Sequence, residues 1–351
     1  MGKLALYRYA SLMMLIIQIV AAIFTIIGLF GGNSNPSGHT ASAMLVFALP
    51  LLIVANIVLL AYWLIRRQWI IAALPAIVIL ASIPYAGTML QLRRLPADAA
   101  DSNAIKVATY NVAMFGRHAS GFIAQDILSE MRQENVDIIC FQEYNDDSGD
   151  ALNSNSYKDF FPFMAKGNDD MVIYSRFPIT AHKHIPFDNS SGSALIADIK
   201  VGNETVRIVN AHLQTTGINR TLRQAAKTEL EGGHIEGNAL MAAIYGNYTK
   251  GMVMRASQAE TVAGEIAQSP YPVVLCGDFN DVPYSYVYTT MKGALRDGFR
   301  ECGSGWMYTF RGSKSVRIDY IFHSTQLQGI KYYKKNLTYS DHYPVFMQIS
   351  L

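Results

Sequence analysis

Apolar residues are distributed along this chain in two unlike ways. Up to about residue 92 they form long unbroken runs; beyond residue 104 they form short runs and alternations between polar stretches. Three long runs stand out. The first is Ala10 to Phe30, without a charge. The second is Ala43 to Ile65, closed by Arg66 and Arg67, and the third is Trp69 to Leu92, closed by Arg93 and Arg94. Each has about the length, roughly 20 residues, that a helix needs to cross the hydrocarbon of a bilayer. Buried core helices are the blander reading, but three uncharged runs in succession exceed what a soluble core requires. The first run is also too long for a cleaved signal peptide, and no small-residue cleavage site leads from it into soluble sequence. Three transmembrane helices are therefore expected within residues 1–94.

Local chemistry fits that expectation. Pro50, Pro75 and Pro84 fall inside the runs, where neighbouring helices can satisfy the freed carbonyls. Trp63 and Trp69 flank the Arg66–Arg67 pair, as aromatics at a membrane interface do. Basic residues set the orientation. Lys3 and Arg8 precede the first run, Arg66 and Arg67 follow the second, and the loop 31–42 carries none. By the positive-inside rule the amino end and second loop are cytoplasmic, so the protein is multi-pass in the cell membrane with its carboxy-terminal domain on the extracytoplasmic side. Arg93 and Arg94 argue against that side. The sequence Pro36-Ser37-Gly38-His39 resembles part of a lipid-phosphate phosphatase signature, but the spans lack the further His and Asp that such a site needs, so a chance match is the better account.

Residues 95–103, rich in Pro, Ala, Asp, Ser and Asn, read as a linker. The remainder, 104–351, is long enough for one sizeable core. Strands are predicted at 104–112, 136–142, 171–174, 194–201, 205–213, 272–276, 316–323 and 345–350. Helices are predicted at 122–134 and 254–268, where apolar residues recur three and four apart. The short turn at 202–204 joins two long strands in an antiparallel hairpin. Hairpins with helices interspersed indicate an α+β class rather than a doubly wound parallel sheet. Residues 238–251 read as a long loop between two motifs, of the kind that shapes substrate access.

Composition adds two constraints. Half of the residues are hydrophobic and only 16% are charged, well under the roughly one quarter usual for soluble domains. The net charge of +2 hides a split. The first 103 residues carry Lys3, Arg8, Arg66, Arg67, Arg93 and Arg94 against Asp98 and Asp101, which leaves the rest slightly acidic. A domain built to grip duplex DNA usually carries a basic excess, so this balance weakens a DNA reading. Cys140, Cys276 and Cys302 form neither a disulfide framework nor a CxxC pair.

The informative polar residues interrupt the ends of apolar strands. They are Asn111, Glu143, His212, Asp278 with Asn280, Asp319, and Asp341 with His342. Singly, each reads as a turn former or a surface residue. Together, carboxylates recurring at strand ends repel one another unless something positive lies between them. Hard carboxylate oxygens suit Mg²⁺, which also binds substrate phosphate, with Mn²⁺ the alternative. A phosphoester substrate needs such charge neutralisation and a positioned water, and histidines can supply protons or hydrogen bonds.

The ordered set Tyr110-Asn111-Val112, Phe141-Gln142-Glu143, Asn210-Ala211-His212-Leu213, Gly277-Asp278-Phe279-Asn280, Ile318-Asp319-Tyr320 and Ser340-Asp341-His342 resembles the endonuclease/exonuclease/phosphatase superfamily. The resemblance implies a four-layer α/β/β/α sandwich after the three transmembrane helices. It also implies roles. Glu143 matches the main Mg²⁺ ligand and Asp341 a second acidic group at the metal. Asp278 matches the residue that orients or deprotonates the attacking water, with Asn280 beside it at the phosphate. Asn111 matches the amide near metal and nucleophile. His342 matches the histidine on the scissile phosphate, and Asp319 its carboxylate partner. His212 matches a histidine of the deoxyribonuclease and sphingomyelinase branches, where it assists the leaving oxygen. Arg176 resembles a structural turn residue, Tyr284 and Tyr286 are pocket candidates, and Arg255 reads as a solvated helix cation or a phosphate contact. The expectation is a metal-dependent phosphoester hydrolase acting on a lipid head group or small phosphoester. Its partners are that substrate and the lipid bilayer. A membrane-tethered nuclease acting on nucleic acid is the runner-up, a non-catalytic membrane scaffold comes third, and the sequence points to no protein partner.

Overall fold

The computed structural model describes residues 3–95, 104–113, 123–144, 155–167, 170–311 and 315–351. Residues 96–103, most of the expected linker, lie outside them. The chain divides into two units, Met1–Thr88 with Val282–Thr289, and Met89–Asp281 with Thr290–Leu351.

The first unit contains α1 (Lys3–Gly31), α2 (Pro36–Ile65), α3 (Trp69–Ala81) and α4 (Ile83–Ala86). Three stretches, Tyr7–Gly31, Pro36–Ile65 and Trp69–Ala86, are long and apolar enough to cross a membrane. Large apolar side chains such as Leu51, Ile65, Ile70 and Leu80 point outward. Two buried amides of the unit donate to neighbouring helices. Asn56 donates to Thr25 Oγ1 at 2.9 Å, and Gln18 donates to Ile71 O at 3.0 Å, contacts that join one helix to another. Arg66 lies 3.7 Å from the centre of the Tyr7 ring and donates to the Tyr7 and Tyr62 hydroxyls. Pro36-Ser37-Gly38-His39 is the first turn of α2, with the Asn35 side chain accepting from the Ser37 N–H; a helix cap accounts for that motif. The third apolar run departs from expectation. Its helix stops at Ala86, and β1 (Leu90–Gln91) follows, paired with β11 (Gly305–Trp306). Pro84 and Gly87 punctuate the run. Tyr284, a pocket candidate by sequence, instead meets the edge of the Tyr85 ring at 5.5 Å within this unit.

The second unit holds two six-stranded sheets. One has β2 (Ala104–Asn111), β3 (Ile138–Gln142), β4 (Phe163–Lys166), β5 (Met171–Ser175), β13 (Gln328–Lys334) and β14 (Val345–Ser350), in the order β13-β14-β2-β3-β5-β4. The other has β6 (Ile179–Pro186), β7 (Ser193–Val201), β8 (Glu204–His212), β9 (Val273–Asp278), β10 (Arg296–Asp297) and β12 (Asp319–His323), in the order β10-β12-β9-β8-β7-β6. β7 and β8 form the expected hairpin. Strand periodicity builds the core. Ile105, Val107, Ile138, Cys140, Ile173, Leu195, Ile208, Val274, Cys276, Ile321 and Met347 meet between the sheets. The alternate residues Ala108, Tyr110, Ile139 and Phe141 face the other way. They pack with Ile127, Leu128 and Met131 of α5 (Ile123–Gln133) and Tyr157 of α6 (Asn155–Phe160). The fold is the expected α+β sandwich of two sheets packed by helices.

One expectation is overturned. Residues 238–251 are not a loop but the first half of a single helix, α8 (Gly237–Ala267), preceded by α7 (Ile218–Leu230). Helix formers such as Leu240, Met241, Ala242 and Ala243 outweigh Gly246 and Gly251 there, and no proline interrupts them.

Candidate active site

Side chains alternate along a strand, so the inward faces can be followed to the strand ends. β2 runs Ile105, Val107, Thr109, Asn111, and β3 runs Ile138, Cys140, Gln142. β8 runs Val206, Ile208, Asn210, His212, and β9 runs Val274, Cys276, Asp278, while β12 begins at Asp319 two residues before Ile321. The first four series start apolar and end polar, and β12 runs the other way, with its polar residue first. β2 is parallel to β3, and β8 to β9, with Asn111 opposite Gln142 and His212 opposite Asp278. Antiparallel β12 places Asp319 opposite Asp278. The topology thus gathers the polar ends at one edge of the sandwich.

The gathered groups touch. Asn111 is buried and donates to Glu143 Oε1 at 3.1 Å and to Asp278 Oδ2 at 3.0 Å. Asp278 Oδ1 accepts the Asn280 backbone N–H at 2.8 Å, and Oδ2 lies 3.3 Å from the Asn280 amide. His342 Nδ1 lies 3.1 and 3.0 Å from the two Asp319 oxygens, and its Nε2 is 3.7 Å from Asp278 Oδ2. Thr309 Oγ1 accepts the backbone N–H groups of Ile318 and Asp319, each at 3.0 Å, which fixes the start of β12. Across the site, His212 Nε2 is 3.8 Å from Glu143 Oε1. Asp341 is exposed, with Ser340 Oγ 3.5 Å from its Oδ1. Among the described residues, no hydrogen bond or ion pair joins Asp341 to Glu143.

Backbone geometry is unusual at the same places. Glu143 and Asn280 have φ of 49° and 51°. Such values are uncommon outside glycine and persist where surroundings enforce them. Gly277 has φ 133°, and a Cβ there would lie 2.0 Å from Ala211 O, so the residue before Asp278 must be glycine.

Charge follows from this crowding. Burial opposes protonation of His342, but Asp319 and Asp278 outweigh it and push the imidazole up to about 10. At neutral pH it is therefore an imidazolium held between two carboxylates. Burial pushes the Asp278 carboxyl up to about 6; Asp319 adds to the push, while His342 and His212 oppose it. Burial likewise opposes the charge on His212, yet Asp170, Asp278 and Glu143 raise its pKa overall.

Two groups could hold a cation. Asp278, Asp319 and His342 each bring a ligand atom within 4.8 Å of the others. That set already has its positive charge, the His342 proton. Glu143 offers a better donor. Its side chain is 30% exposed, Asn111 holds one oxygen, and the other accepts no hydrogen bond among the described residues. A half-solvated carboxylate with one oxygen fixed suits a hard cation that keeps waters.

One residue here had no signal in the sequence, and others had a place there but not the contacts they make. Asp170 lies 3.5 Å from His212 Nδ1 and accepts from Ser193 Oγ at 3.3 Å, but in the run Asn168-Asp169-Asp170 nothing singles it out. Gln142 and Asn210 lie inside the recognised motifs and join the sheets, Nε2 to Oδ1, at 2.6 Å. Arg176 pairs with Asp137 at 3.0 Å on the half-exposed surface, as a turn residue would. Arg255 is not solvated; it is fully buried against Asp281.

Comparison with known proteins places this arrangement. Residues 108–342 match the family model described as Endonuclease/Exonuclease/phosphatase family. Residues 11–89 match a domain family of unknown function. No curated protein sequence matches the chain. A humanized D. rerio TDP2 structure aligns with TM-score 0.54 and 16% identity, over 71% of this chain and 100% of that one. D. rerio TDP2 with a single-strand DNA product gives 0.52 and 16%, over 72% and 100%. An endonuclease/exonuclease/phosphatase from Bacteroides vulgatus gives 0.52 and 16%, over 71% and 99%. These likenesses show the fold. The family model covers more than half of the chain, from two residues before the Tyr110-Asn111-Val112 motif to His342 of the last, so the chain belongs to the endonuclease/exonuclease/phosphatase family and is a hydrolase of phosphoester bonds.

Proposed function

We propose that the protein is a membrane-anchored, Mg²⁺-dependent phosphodiesterase or phosphatase whose substrate is a lipid head group or small phosphoester. The observation that carries the mechanism is the buried Asp319–His342–Asp278 array beside Asn111 and Glu143. Asp278, ionised above about pH 6, takes the proton of a water that attacks phosphorus. Asn111 and the Asn280 N–H hold its two oxygens and so fix its direction. The His342 imidazolium, fixed by Asp319, neutralises charge developing on the phosphoryl oxygens. His212, whose pKa burial lowers but Asp170, Asp278 and Glu143 raise overall, stabilises the oxygen that leaves as its bond to phosphorus breaks. Mg²⁺ held by Glu143, with Asp341 as a further acidic ligand directly or through water, would supply Lewis-acid neutralisation of the phosphate.

The membrane part rests on the three apolar helices, and the substrate class rests on that anchor and on charge. Tethering holds the site at a high local concentration of lipid phosphate, which lessens the need for a basic groove. The slightly acidic domain fits a shallow salt dependence on DNA rather than the steep one of a phosphate-gripping surface. The nuclease reading draws on the D. rerio TDP2 structure that holds a single-strand DNA product. The test compares kcat/KM of the full-length protein in mixed micelles with Mg²⁺ on phospholipid head groups, bis-p-nitrophenyl phosphate, single-stranded DNA and duplex DNA. The lipid or small ester is expected to be hydrolysed most efficiently, and a clear preference for DNA across moderate salt overturns that ranking.

Topology has its own test. With Lys3, Arg8, Arg66 and Arg67 cytoplasmic and no basic residue in 31–42, a reporter fused after Leu351 is expected to behave as exported. A fusion active only as a cytoplasmic reporter overturns the orientation.

A further inference from the structure

Arg255 lies in the second half of α8. It is fully buried, and its nearest charge is Asp281, with Nε 3.2 Å from Oδ2. Its Nη1 donates to the Gln214 carbonyl at 3.1 Å. One turn on, Gln258 Oε1 accepts the Gln214 N–H at 2.8 Å. Gln214 is thus held at both of its backbone groups by α8. The helix comes close there: a Cβ at Gly251 would lie 3.0 Å from Thr215 O.

Both partners of Arg255 adjoin the site. Gln214 lies two residues after His212, and Asp281 directly follows Asn280. The two segments are also joined to each other, since Asn280 Nδ2 donates to Leu213 O at 2.9 Å and the Leu213 N–H to Asp278 O at 3.0 Å. Asp281 O in turn accepts from the Tyr320 hydroxyl at 2.9 Å, next to Asp319. Arg255 therefore spans the chain leaving one candidate catalytic histidine and the loop carrying Asp278 and Asn280. Stability alone is a poor reason for it. A buried ion pair often contributes little net stability compared with apolar packing, and Arg255 Nη2 is buried without a hydrogen-bond partner among the described residues, which carries a cost. The arrangement has a better use in enforcing Asn280's left-handed backbone.

We propose that Arg255 is a positioning residue that locks the Asp278–Asn280 loop to the strand end bearing His212, so that turnover rather than substrate affinity depends on it. The proposal rests on the reading of Asp278 and Asn280 given above. Misplacement of reacting groups by about 1 Å can cost roughly 10²-fold in rate.

Arg255→Lys keeps the charge opposite Asp281 but cannot reach Asp281 and Gln214 as a fork does. In the full-length protein with bis-p-nitrophenyl phosphate and Mg²⁺, R255K is expected to lower kcat about 10- to 100-fold and to change KM by less than about threefold. In an Asn280→Ala background it is expected to cost less than about twofold more, because the Asn280 side chain that ties the loop to Leu213 is already gone. A purely structural role predicts equal losses in both backgrounds, tracking the fall in Tm. Wild-type kcat in R255K, or equal losses in the two backgrounds, overturns the proposal. If R255K does not fold, Gln258→Leu cuts the second hold on Gln214 and leaves the ion pair intact; wild-type kcat there overturns it equally. Full activity of N280A alone overturns the reading of the site itself, whereas full activity of R255K beside an impaired N280A overturns this proposal only.

Discussion

Replacing His342 with alanine is expected to lower kcat of the full-length protein about 10³-fold at neutral pH, with KM little changed. The group lost is a buried cation held 3.0 Å from Asp319 and 3.7 Å from Asp278. Asp319→Ala is expected to approach the same loss, because it removes the carboxylate that keeps the imidazole charged and turned. In a double-mutant cycle the combined variant is then hardly worse than either single one. Additive losses would mean that the two residues act separately. The pH profile gives a second check. His342 is raised to about 10 chiefly because the pull of Asp319 and Asp278 exceeds the effect of burial, so the imidazolium persists until the medium is strongly alkaline. Asp319→Asn takes away the larger pull, and the imidazolium is lost at lower pH. The alkaline limb of kcat should therefore move toward neutrality in D319N. The acid limb, set by ionisation of Asp278 near 6, should persist and move to somewhat lower pH, because Asp319 no longer adds to the push on that carboxyl. An alkaline limb unmoved by D319N contradicts the pairing.

What could be read in advance, and what could not, follows from burial. The central strands β2, β3, β8, β9 and β14 bury nearly every residue, so their apolar runs were visible in the sequence. The strands that went unread, β4, β6, β10 and β13, are the edges of the two sheets. Most β6 side chains between Ile179 and Pro186 are exposed, including His182 and Lys183, and a strand without a buried face carries little pattern. Helix α7 and the first half of α8 escaped for a related reason. Among its described side chains α7 buries little beyond Thr221 and Ala225, and in α8 small residues replace the usual Leu and Ile stripe. The site was legible where polar residues broke apolar strands, as at Asn111, His212 and Asp278. It was not legible where a residue acts from a neighbouring loop or helix. Asp170 and Arg255 meet their partners across gaps of 42 and 26 residues, and nothing local marks them. Arg255 shows the limit most directly: helical spacing cannot tell a buried arginine from a solvated one.

Glu143→Gln is expected to abolish metal-dependent turnover, a loss of at least about 10³-fold, while leaving the fold intact. The substitution removes a charge and almost no volume. The carbonyl oxygen of the new amide could still accept the Asn111 N–H that now bonds Glu143 Oε1 at 3.1 Å, and the side chain is partly exposed, so no charge is stranded in the core. The left-handed backbone at Glu143, φ 49°, is strain of the kind that collects at working sites and aims this side chain away from its strand. Three measurements decide the matter. Calorimetric titration of the full-length protein with Mg²⁺ should lose its binding signal in E143Q, while the thermal melt without Mg²⁺ stays within a few degrees of the wild type. Initial rates should not recover as Mg²⁺ is raised. Near-normal activity at saturating Mg²⁺ would remove Glu143 from the metal site. If Mg²⁺ also bound E143Q as it binds the wild type, the cation would belong instead with Asp278, Asp319 and His342. His342 would then have to give up its proton on binding, which a pH-dependent Mg²⁺ affinity would reveal.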